Sequence, residues 1–219
     1  MKFSLAKEHL HFYQQHGYVE FEGIIKIQKL QQILYAIRKE HFESNEQHYE
    51  KHHDLWRSSH EIKKSLFHRD IASIVADLNG VKPLRVGFDQ LIPKGFEHEK
   101  PLSLNEMGSI QGIAGGYLLC LQDCPGGDII QPDLVEGERL VMAPFSTEAG
   151  NMLFIDPDIA IDFSLMPCDH LLISFAGPKA IYCHNASDPH NHEFKKYSYS
   201  FGDKISESEL PTVLREFNL

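Results

Sequence analysis

The side chains best suited to chemistry stand at the ends of two predicted strands late in the chain. Residues 171–183 are apolar and rich in β-formers, and residues 194–201 alternate aromatic with small or charged side chains. His184 stands where the first strand ends, and Lys195 and Lys196 open the second. Adjacent antiparallel strands bring such side chains within reach of one another. The pattern predicts an imidazole that binds a metal beside a lysine that holds a carboxylate ligand of that metal; an ordinary strand–loop–strand corner is the alternative.

The elements that must position these residues follow two kinds of apolar periodicity, that of helices in the N-terminal part and that of strands in the rest of the chain. Segments 4–16, 26–42 and 62–78 have the apolar spacing of amphipathic helices, and a short alternating strand lies at 18–21. From residue 81 onward, short segments separated by turn signals predict strands. The predicted strands are 84–92, 102–110, 116–122, 128–131, 140–143, 152–155, 159–163, 171–183 and 194–201. Strands at such regular spacing indicate a jelly roll, or double-stranded β-helix.

The whole chain is predicted to form one α+β domain, residues 1–219. A length of 219 residues suits one domain with a real core. Its predicted parts are a helical N-terminal region at 1–80, a β-roll at 81–205 and a C-terminal tail at 206–219 that forms one more short helix.

Charge and composition argue against several classes of partner. A net charge of −10 disfavours binding to nucleic acids and to anionic membrane surfaces. No apolar run approaches the ~20 residues of a membrane span, and the N-terminus turns polar too soon for a signal peptide. Cys120 and Cys124 lack the C-x-x-C spacing of zinc sites, so we expect the chain's 4 cysteines to be reduced in a cytoplasmic protein. The remaining partner is a small-molecule substrate or ligand.

Short sequence phrases occur in a recognisable order along the chain. They are QHGYVEFEGII at 15–25 before the 26–42 helix, FDQLIPKGFEHEK at 88–100, CLQD at 120–123, GGDIIQP at 126–132, and His184 with the loop and lysines after it. This order resembles the phytanoyl-CoA dioxygenase family of non-haem Fe(II)/2-oxoglutarate oxygenases, and the resemblance covers most of the chain. It implies a double-stranded β-helix that uses Fe(II), 2-oxoglutarate and O₂ to hydroxylate a small molecule.

The resemblance also implies which residues hold the cofactors. The family binds iron through two histidines and one carboxylate, which leaves coordination positions for 2-oxoglutarate and O₂. Carried onto this sequence, the histidines are His98 and His184. Lys195 takes the place of the arginine that holds the far carboxylate of 2-oxoglutarate, because no arginine occurs between residues 140 and 214. Lys196 is the alternative if the strand register shifts by one.

One departure from the family pattern governs the predicted activity. Lys100 stands where the metal-binding carboxylate is expected, and an ammonium group cannot bind Fe(II). Asp133 is a rival carboxylate, but it would come from another strand and has no histidine two residues before it. We therefore predict a degraded metal site in a protein that is weakly active or inactive and binds a small metabolite. The alternatives are an active oxygenase that hydroxylates a small molecule, and a cupin-like metal-binding or sugar-binding protein.

Overall fold

The computed structural model describes residues 5–43, 53–96, 100–124, 141–142, 145–185, 188 and 191–215. The helices are α1 (Lys7–His16), α2 (Ile27–Glu43), α3 (Leu55–Ser58), α4 (His60–Leu66), α5 (Arg69–Asn79), α6 (Leu104–Met107) and α7 (Asn191–Lys196). The strands are β1 (Tyr18–Phe21), β2 (Leu84–Ile92), β3 (Ile110–Cys120), β4 (Val141–Met142), β5 (Met152–Ile155), β6 (Ala160–Ile161), β7 (His170–Tyr182) and β8 (Thr212–Leu214). A 3-10 turn at Phe163–Leu165 follows β6.

The N-terminal helices form where apolar periodicity meets clear end signals. α1 ends at Gly17, whose φ of 76° suits glycine and whose N–H donates to the Tyr13 carbonyl at 2.7 Å. α1, β1 and α2 confirm the helix, strand and helix predicted over residues 4–42. The single helix predicted at 62–78 is two helices, because α4 ends before Phe67 and His68 caps α5 by accepting a hydrogen bond from an α5 N–H.

Six strands form one antiparallel sheet in the order β1-β5-β3-β7-β2-β8. β3 and β7 lie at its centre, and their register runs as far as the pair Cys120↔His170. Register shifts in the β2–β7 and β3–β7 ladders bend the strands and curl the sheet into a half-barrel. A second sheet pairs β4 with β6 in parallel, and Leu102 bridges Ile161 beside it. The architecture is the α+β jelly roll that the sequence predicts.

Alternating side chains of the sheet build two apolar cores, one on each face. Leu119 on β3 and Ile173 on β7 pack on the convex face against the N-terminal helices. Their neighbours Leu118 and Leu172 pack on the concave face, inside the roll. Each fully buried side chain of this size contributes about 1.5–3 kcal/mol relative to an exposed one. The helices are therefore part of the scaffold that holds the half-barrel in shape.

The strand predicted at 194–201 is wrong, because α7 occupies the start of this segment and turns follow it. Phe194 is buried in the concave core, with its ring centroid 5.6 Å from that of Tyr182 and 5.8 Å from that of Tyr199. Packing of these three rings overrides the alternating pattern that indicated a strand. The tail is also different from the prediction, since its described part contains the short strand β8, where Leu214 pairs with Leu84.

Two predicted strands inside the roll have other outcomes. The segment at 102–110 contains the helix α6, because Ser103 and Glu106 form a capping box in which the Ser103 N–H donates to Glu106 Oε2 at 2.9 Å. The strand predicted at 128–131 lies outside the described residues. β5, β6 and β7 confirm the strands predicted near 152–155, 159–163 and 171–183.

The expectation of four reduced cysteines is wrong. Cys124 and Cys168 form a disulfide bond, and Cys120 and Cys183 are free. The pairing of β3 with β7 brings the two bonded residues together, although 44 residues separate them in sequence. The cytoplasmic location loses this support and stays a prediction. None of the described helices is long and apolar enough to cross a membrane.

Candidate functional site

The residues predicted to form the site are exposed where the structure describes them. His184 follows the end of β7 and is exposed. Lys195 and Lys196 are exposed at the end of α7 and are not on a strand beside β7. His98 lies outside the described residues. The metal-binding roles of the two histidines and the anchoring roles of the two lysines therefore stay predictions.

The centre of the concave face is apolar. Phe88 from β2, Leu118 from β3, Leu153 from β5 and Leu172 from β7 are all buried there. Phe163 from the 3-10 turn packs into the same core. A bare charge among the apolar side chains would be strongly disfavoured, because such side chains do not replace its hydration. Among the described residues, polar groups border this core at His53, whose ring stacks on Phe88 at a centroid distance of 5.4 Å, and at the buried Gln90 of β2. The apolar part of the described concave face is therefore suited to packing.

Polar side chains close the end of the half-barrel that carries His184. Asn185 Nδ2 donates to the carbonyl oxygen of Glu106 at 2.7 Å. The Ser109 N–H donates to Asp188 Oδ2 at 2.6 Å. These bonds tie the α6 region to the segment after β7. The polar groups at this end therefore hold the loops in place.

A cleft of about 580 Å³ lies beside this end, between α1, the end of α5 and the turn before β6. Its lining includes Tyr13, His16, Asn79, Asp156 and Asp158. The Tyr13 hydroxyl donates to Asn79 Oδ1 at 3.0 Å, and burial raises the pKa of Tyr13 far above its ordinary value, so the hydroxyl stays neutral. The volume is within the range of small-molecule sites. The amide, imidazole and carboxylate groups would hold a polar molecule through hydrogen bonds.

Sequence reasoning missed Asp89, a fully buried carboxylate on β2. Its Oδ1 accepts from the Leu55 N–H at 3.0 Å, and its Oδ2 accepts from the Trp56 N–H at 2.9 Å. Burial raises the pKa of Asp89 to about 8, and the nearby Asp54 acts in the same direction. The side chain joins α3 to the sheet, so its role is structural. A carboxylate between the apolar residues of a predicted strand, which also contains Arg85 and Gln90, was the available sequence signal.

One group within the described part of the chain could hold a metal ion. Ligand atoms of Cys120, Cys168 and His170 lie within 4.8 Å of one another, and all three residues are buried. Burial lowers the pKa of His170, which favours the neutral imidazole. The group contains the Cys120 thiol, the disulfide-bonded sulfur of Cys168 and no carboxylate, so it does not match the predicted triad. Sequence reasoning missed it because only the pairing of β3 with β7 brings these residues together.

The fold defines the class of architecture, which is the jelly roll of non-haem, α-ketoglutarate-dependent enzymes. SnoK, a carbocyclase from nogalamycin biosynthesis, is 17% identical, with 95% of this chain and 96% of that chain covered and a TM-score of 0.66. SnoN, an epimerase from the same biosynthesis, is 15% identical, with 97% of each chain covered and a TM-score of 0.67. CT296 from Chlamydia trachomatis is 15% identical, with 81% of this chain and 99% of that chain covered and a TM-score of 0.51.

At such low identities these similarities show the fold alone. No protein-family model and no curated protein matches the sequence. The comparisons therefore show the jelly-roll fold, and both the iron/2-oxoglutarate superfamily and the narrower phytanoyl-CoA dioxygenase type stay proposals.

Proposed function

We propose that this protein is a phytanoyl-CoA dioxygenase-like protein with a degraded metal site, which binds a small metabolite in the cytoplasm with little or no oxygenase activity. One observation carries the proposal. The described centre of the concave face is mainly apolar, and the only cluster of three potential ligands among the described residues combines one free thiol, one disulfide sulfur and one imidazole. A fold supplies a scaffold, whereas chemistry depends on the residues of the site.

Fe(II) and 2-oxoglutarate do not fit the groups that the structure describes. The far carboxylate of 2-oxoglutarate needs a cation, and Arg85 is the buried one. Arg85 Nε donates to the Leu210 carbonyl at 2.8 Å, and Arg85 Nη2 donates to the Ile205 carbonyl at 2.9 Å. This guanidinium is therefore already used to hold the C-terminal segment. Because Lys195 and Lys196 are exposed, an anchor at either one would hold the carboxylate in contact with water.

Structures with this fold support a small molecule as the ligand class. SnoN was solved with Fe³⁺, α-ketoglutarate and nogalamycin RO, and HygX from Streptomyces hygroscopicus with nickel and 2-oxoglutarate. For this protein, we assign small-molecule binding to the polar cleft beside α1. Its carboxylates, Asp156 and Asp158, favour a neutral or cationic metabolite with several hydrogen-bonding groups.

The degraded-site part of the proposal is tested by anaerobic Fe(II) titration with 2-oxoglutarate, followed by addition of O₂ and measurement of succinate. We expect no metal-dependent succinate release. His184→Ala removes the predicted ligand, and His11→Ala removes a matched exposed histidine on α1. Micromolar Fe(II) binding with 2-oxoglutarate-dependent succinate release, both lost in His184→Ala and kept in His11→Ala, would overturn the proposal.

The binding part is tested by screening polar and cationic metabolites with ligand-observed NMR. We expect the affinity of a bound metabolite to fall in Asp158→Asn and Gln15→Ala, which change the cleft. Gln32→Ala changes a separate surface cleft and serves as the control. If no metabolite binds, or if both cleft variants keep the wild-type affinity, the assignment of the ligand to this cleft is wrong.

A further inference from the structure

Three cysteines and one histidine converge at the end of the half-barrel opposite His184. β3 ends at Cys120 and β7 begins at His170, and these two residues are partners in the ladder. Cys124 follows β3 and Cys168 precedes β7, so neighbouring strand ends supply all four side chains. We propose that, once the Cys124–Cys168 disulfide is reduced, these four residues bind one Zn²⁺ in a closed tetrahedral site.

The separations between the potential ligand atoms suit one zinc ion. Cys120 Sγ lies 3.5 Å from Cys168 Sγ, and no disulfide bond joins them. Zinc–sulfur bonds of ~2.3 Å place two sulfurs of a tetrahedral site about 3.8 Å apart. The His170 ring nitrogen lies within 4.8 Å of both sulfurs. Cys124 Sγ is bonded to Cys168 Sγ, so it lies next to one of these three ligands, and it becomes the fourth ligand when the bond is reduced and its side chain turns toward the metal.

Backbone hydrogen bonds hold the ligand-bearing segments independently of the disulfide. The Leu121 N–H donates to the Asp169 carbonyl at 3.1 Å, which joins the end of β3 to the start of β7. The Cys124 N–H donates to the Thr147 carbonyl at 2.8 Å, which holds the segment after β3. Reduction therefore leaves the thiols close together. A preorganised cluster of this kind loses little conformational freedom when a metal binds.

The surroundings of His170 point to a ligand on one of its ring nitrogens. The imidazole is fully buried, with Nδ1 2.8 Å from the Cys168 carbonyl oxygen and Nε2 3.1 Å from the Ser146 carbonyl oxygen. A neutral imidazole has one N–H and one ring-nitrogen lone pair, so only one of these two carbonyl oxygens accepts a hydrogen bond and the other faces the lone pair. Zinc on one nitrogen leaves the other N–H to donate to a backbone carbonyl, which is the usual arrangement of metal-binding histidines.

The ligand types select the metal and its role. Three thiolates and one imidazole form a soft set that suits tetrahedral Zn²⁺ and does not suit the 2-His-1-carboxylate chemistry of non-haem iron. A site with four protein ligands has no open position for substrate, so its role is structural. Bound zinc would lock the ends of β3 and β7 together at one end of the roll. This site is separate from the polar cleft, and it does not depend on the metabolite proposal.

The reaction that prepares the site is a disulfide reduction. A dithiol reductant donates two electrons to the Cys124–Cys168 bond, which becomes two thiols while the reductant becomes a disulfide. Zn²⁺ then displaces the protons of Cys120, Cys124 and Cys168. The oxidised form excludes zinc because two of the four ligands are consumed by the S–S bond.

The first test uses the wild-type protein reduced with dithiothreitol, freed of reductant and kept anaerobic. Titration with Zn²⁺ is expected to saturate at one ion per chain, and Co²⁺ is expected to give intense sulfur-to-cobalt charge-transfer absorption. The number of thiols that react with a disulfide reagent should fall from four to one, Cys183, when zinc is bound. If the reduced protein binds no zinc, or if all four thiols stay reactive in excess zinc, the proposal is wrong.

Variants separate the site from adventitious binding. Cys120→Ser, checked for folding by circular dichroism, should weaken Zn²⁺ binding by more than about 100-fold, the upper end of the loss caused by removing an outer-shell partner. Cys183→Ser should bind Zn²⁺ as the wild type does, because this free cysteine lies outside the cluster. Retention of wild-type affinity in Cys120→Ser, or its loss in Cys183→Ser, would overturn the assignment. The wild-type thiol count remains decisive if a variant does not fold.

Discussion

Replacing Asp89 with asparagine should change how the stability of the protein depends on pH. The Asp89 carboxylate is fully buried on β2 and accepts hydrogen bonds from the first N–H groups of α3, at Leu55 and Trp56. Its pKa is raised to about 8, mainly by burial. In the unfolded chain an aspartate titrates near 3.9. Between these values the folded protein holds a proton that the unfolded chain has released.

The sign of the effect follows from this difference in bound protons. Because the native state binds more protons from about pH 4 to pH 8, the free energy of unfolding falls as pH rises through this window. The slope contributed by Asp89 is at most about 1.4 kcal/mol per pH unit, and a shift of roughly four units gives an upper limit of about 5 kcal/mol. Asp89→Asn cannot titrate. It should be less stable than the wild type at pH 5 by about 1–3 kcal/mol, because one N–H loses its acceptor.

The expected result is a crossing of the two stability curves. The disadvantage of Asp89→Asn at pH 5 should shrink with rising pH and disappear or reverse near pH 8. Urea unfolding followed by fluorescence measures this, and Trp56 is the only tryptophan and packs beside Asp89. Asp77→Asn removes an exposed carboxylate paired with Lys82 and serves as the control for loss of a surface charge. If the difference in unfolding free energy between wild type and Asp89→Asn is constant from pH 5 to pH 8, Asp89 is ionised in the folded protein and the prediction is wrong.

Three further predictions concern the scaffold. Leu118→Ala in the concave core should lower the unfolding free energy by about 2–5 kcal/mol in urea titrations, whereas the exposed Tyr35→Ala should change it by less than about 0.5 kcal/mol. Arg85→Met should leave C-terminal carbonyls without their donor, so hydrogen exchange there should speed up; unchanged protection would contradict this role. Gly116→Ala should lower the melting temperature far more than Gly177→Ala. A Cβ on Gly116 would clash with a β7 carbonyl oxygen, whereas a Cβ on Gly177 would make ordinary contacts. Equal melting temperatures of the two variants would refute this prediction.

Local pattern was sufficient for most of the fold. The apolar periodicity of 4–16 and 26–42 and the β-rich composition of 171–183 predict elements that the structure contains, because tertiary packing there agrees with local preference. The C-terminal region shows the opposite case. The segment that begins at Phe194 alternates aromatic with polar residues as a strand does, yet Phe194 lies on the helix α7. Its ring packs against those of Tyr182 and Tyr199, which lie outside that helix. Long-range packing determined the secondary structure of that segment, and the local sequence pattern did not indicate this packing.

The candidate sites depended even more on register. Local sequence grouped His184 with the lysines after it, since they are close along the chain. The structure instead brings together Cys120 and His170, which are separated by 50 positions and meet as ladder partners. Asp89 is likewise a structural anchor only because α3 is placed on β2. Such convergence follows from strand order, which periodicity does not encode.

The proposal that the roll lacks a working iron/2-oxoglutarate site is tested most directly by Mn²⁺ binding. Electron paramagnetic resonance measures free Mn²⁺ as the protein is added with saturating 2-oxoglutarate. The protein is kept in its disulfide form so that the thiol cluster does not compete for metal. We predict that the free Mn²⁺ signal stays undiminished at micromolar protein. Loss of one equivalent of signal per chain, dependent on 2-oxoglutarate and abolished by His184→Ala, would contradict the account.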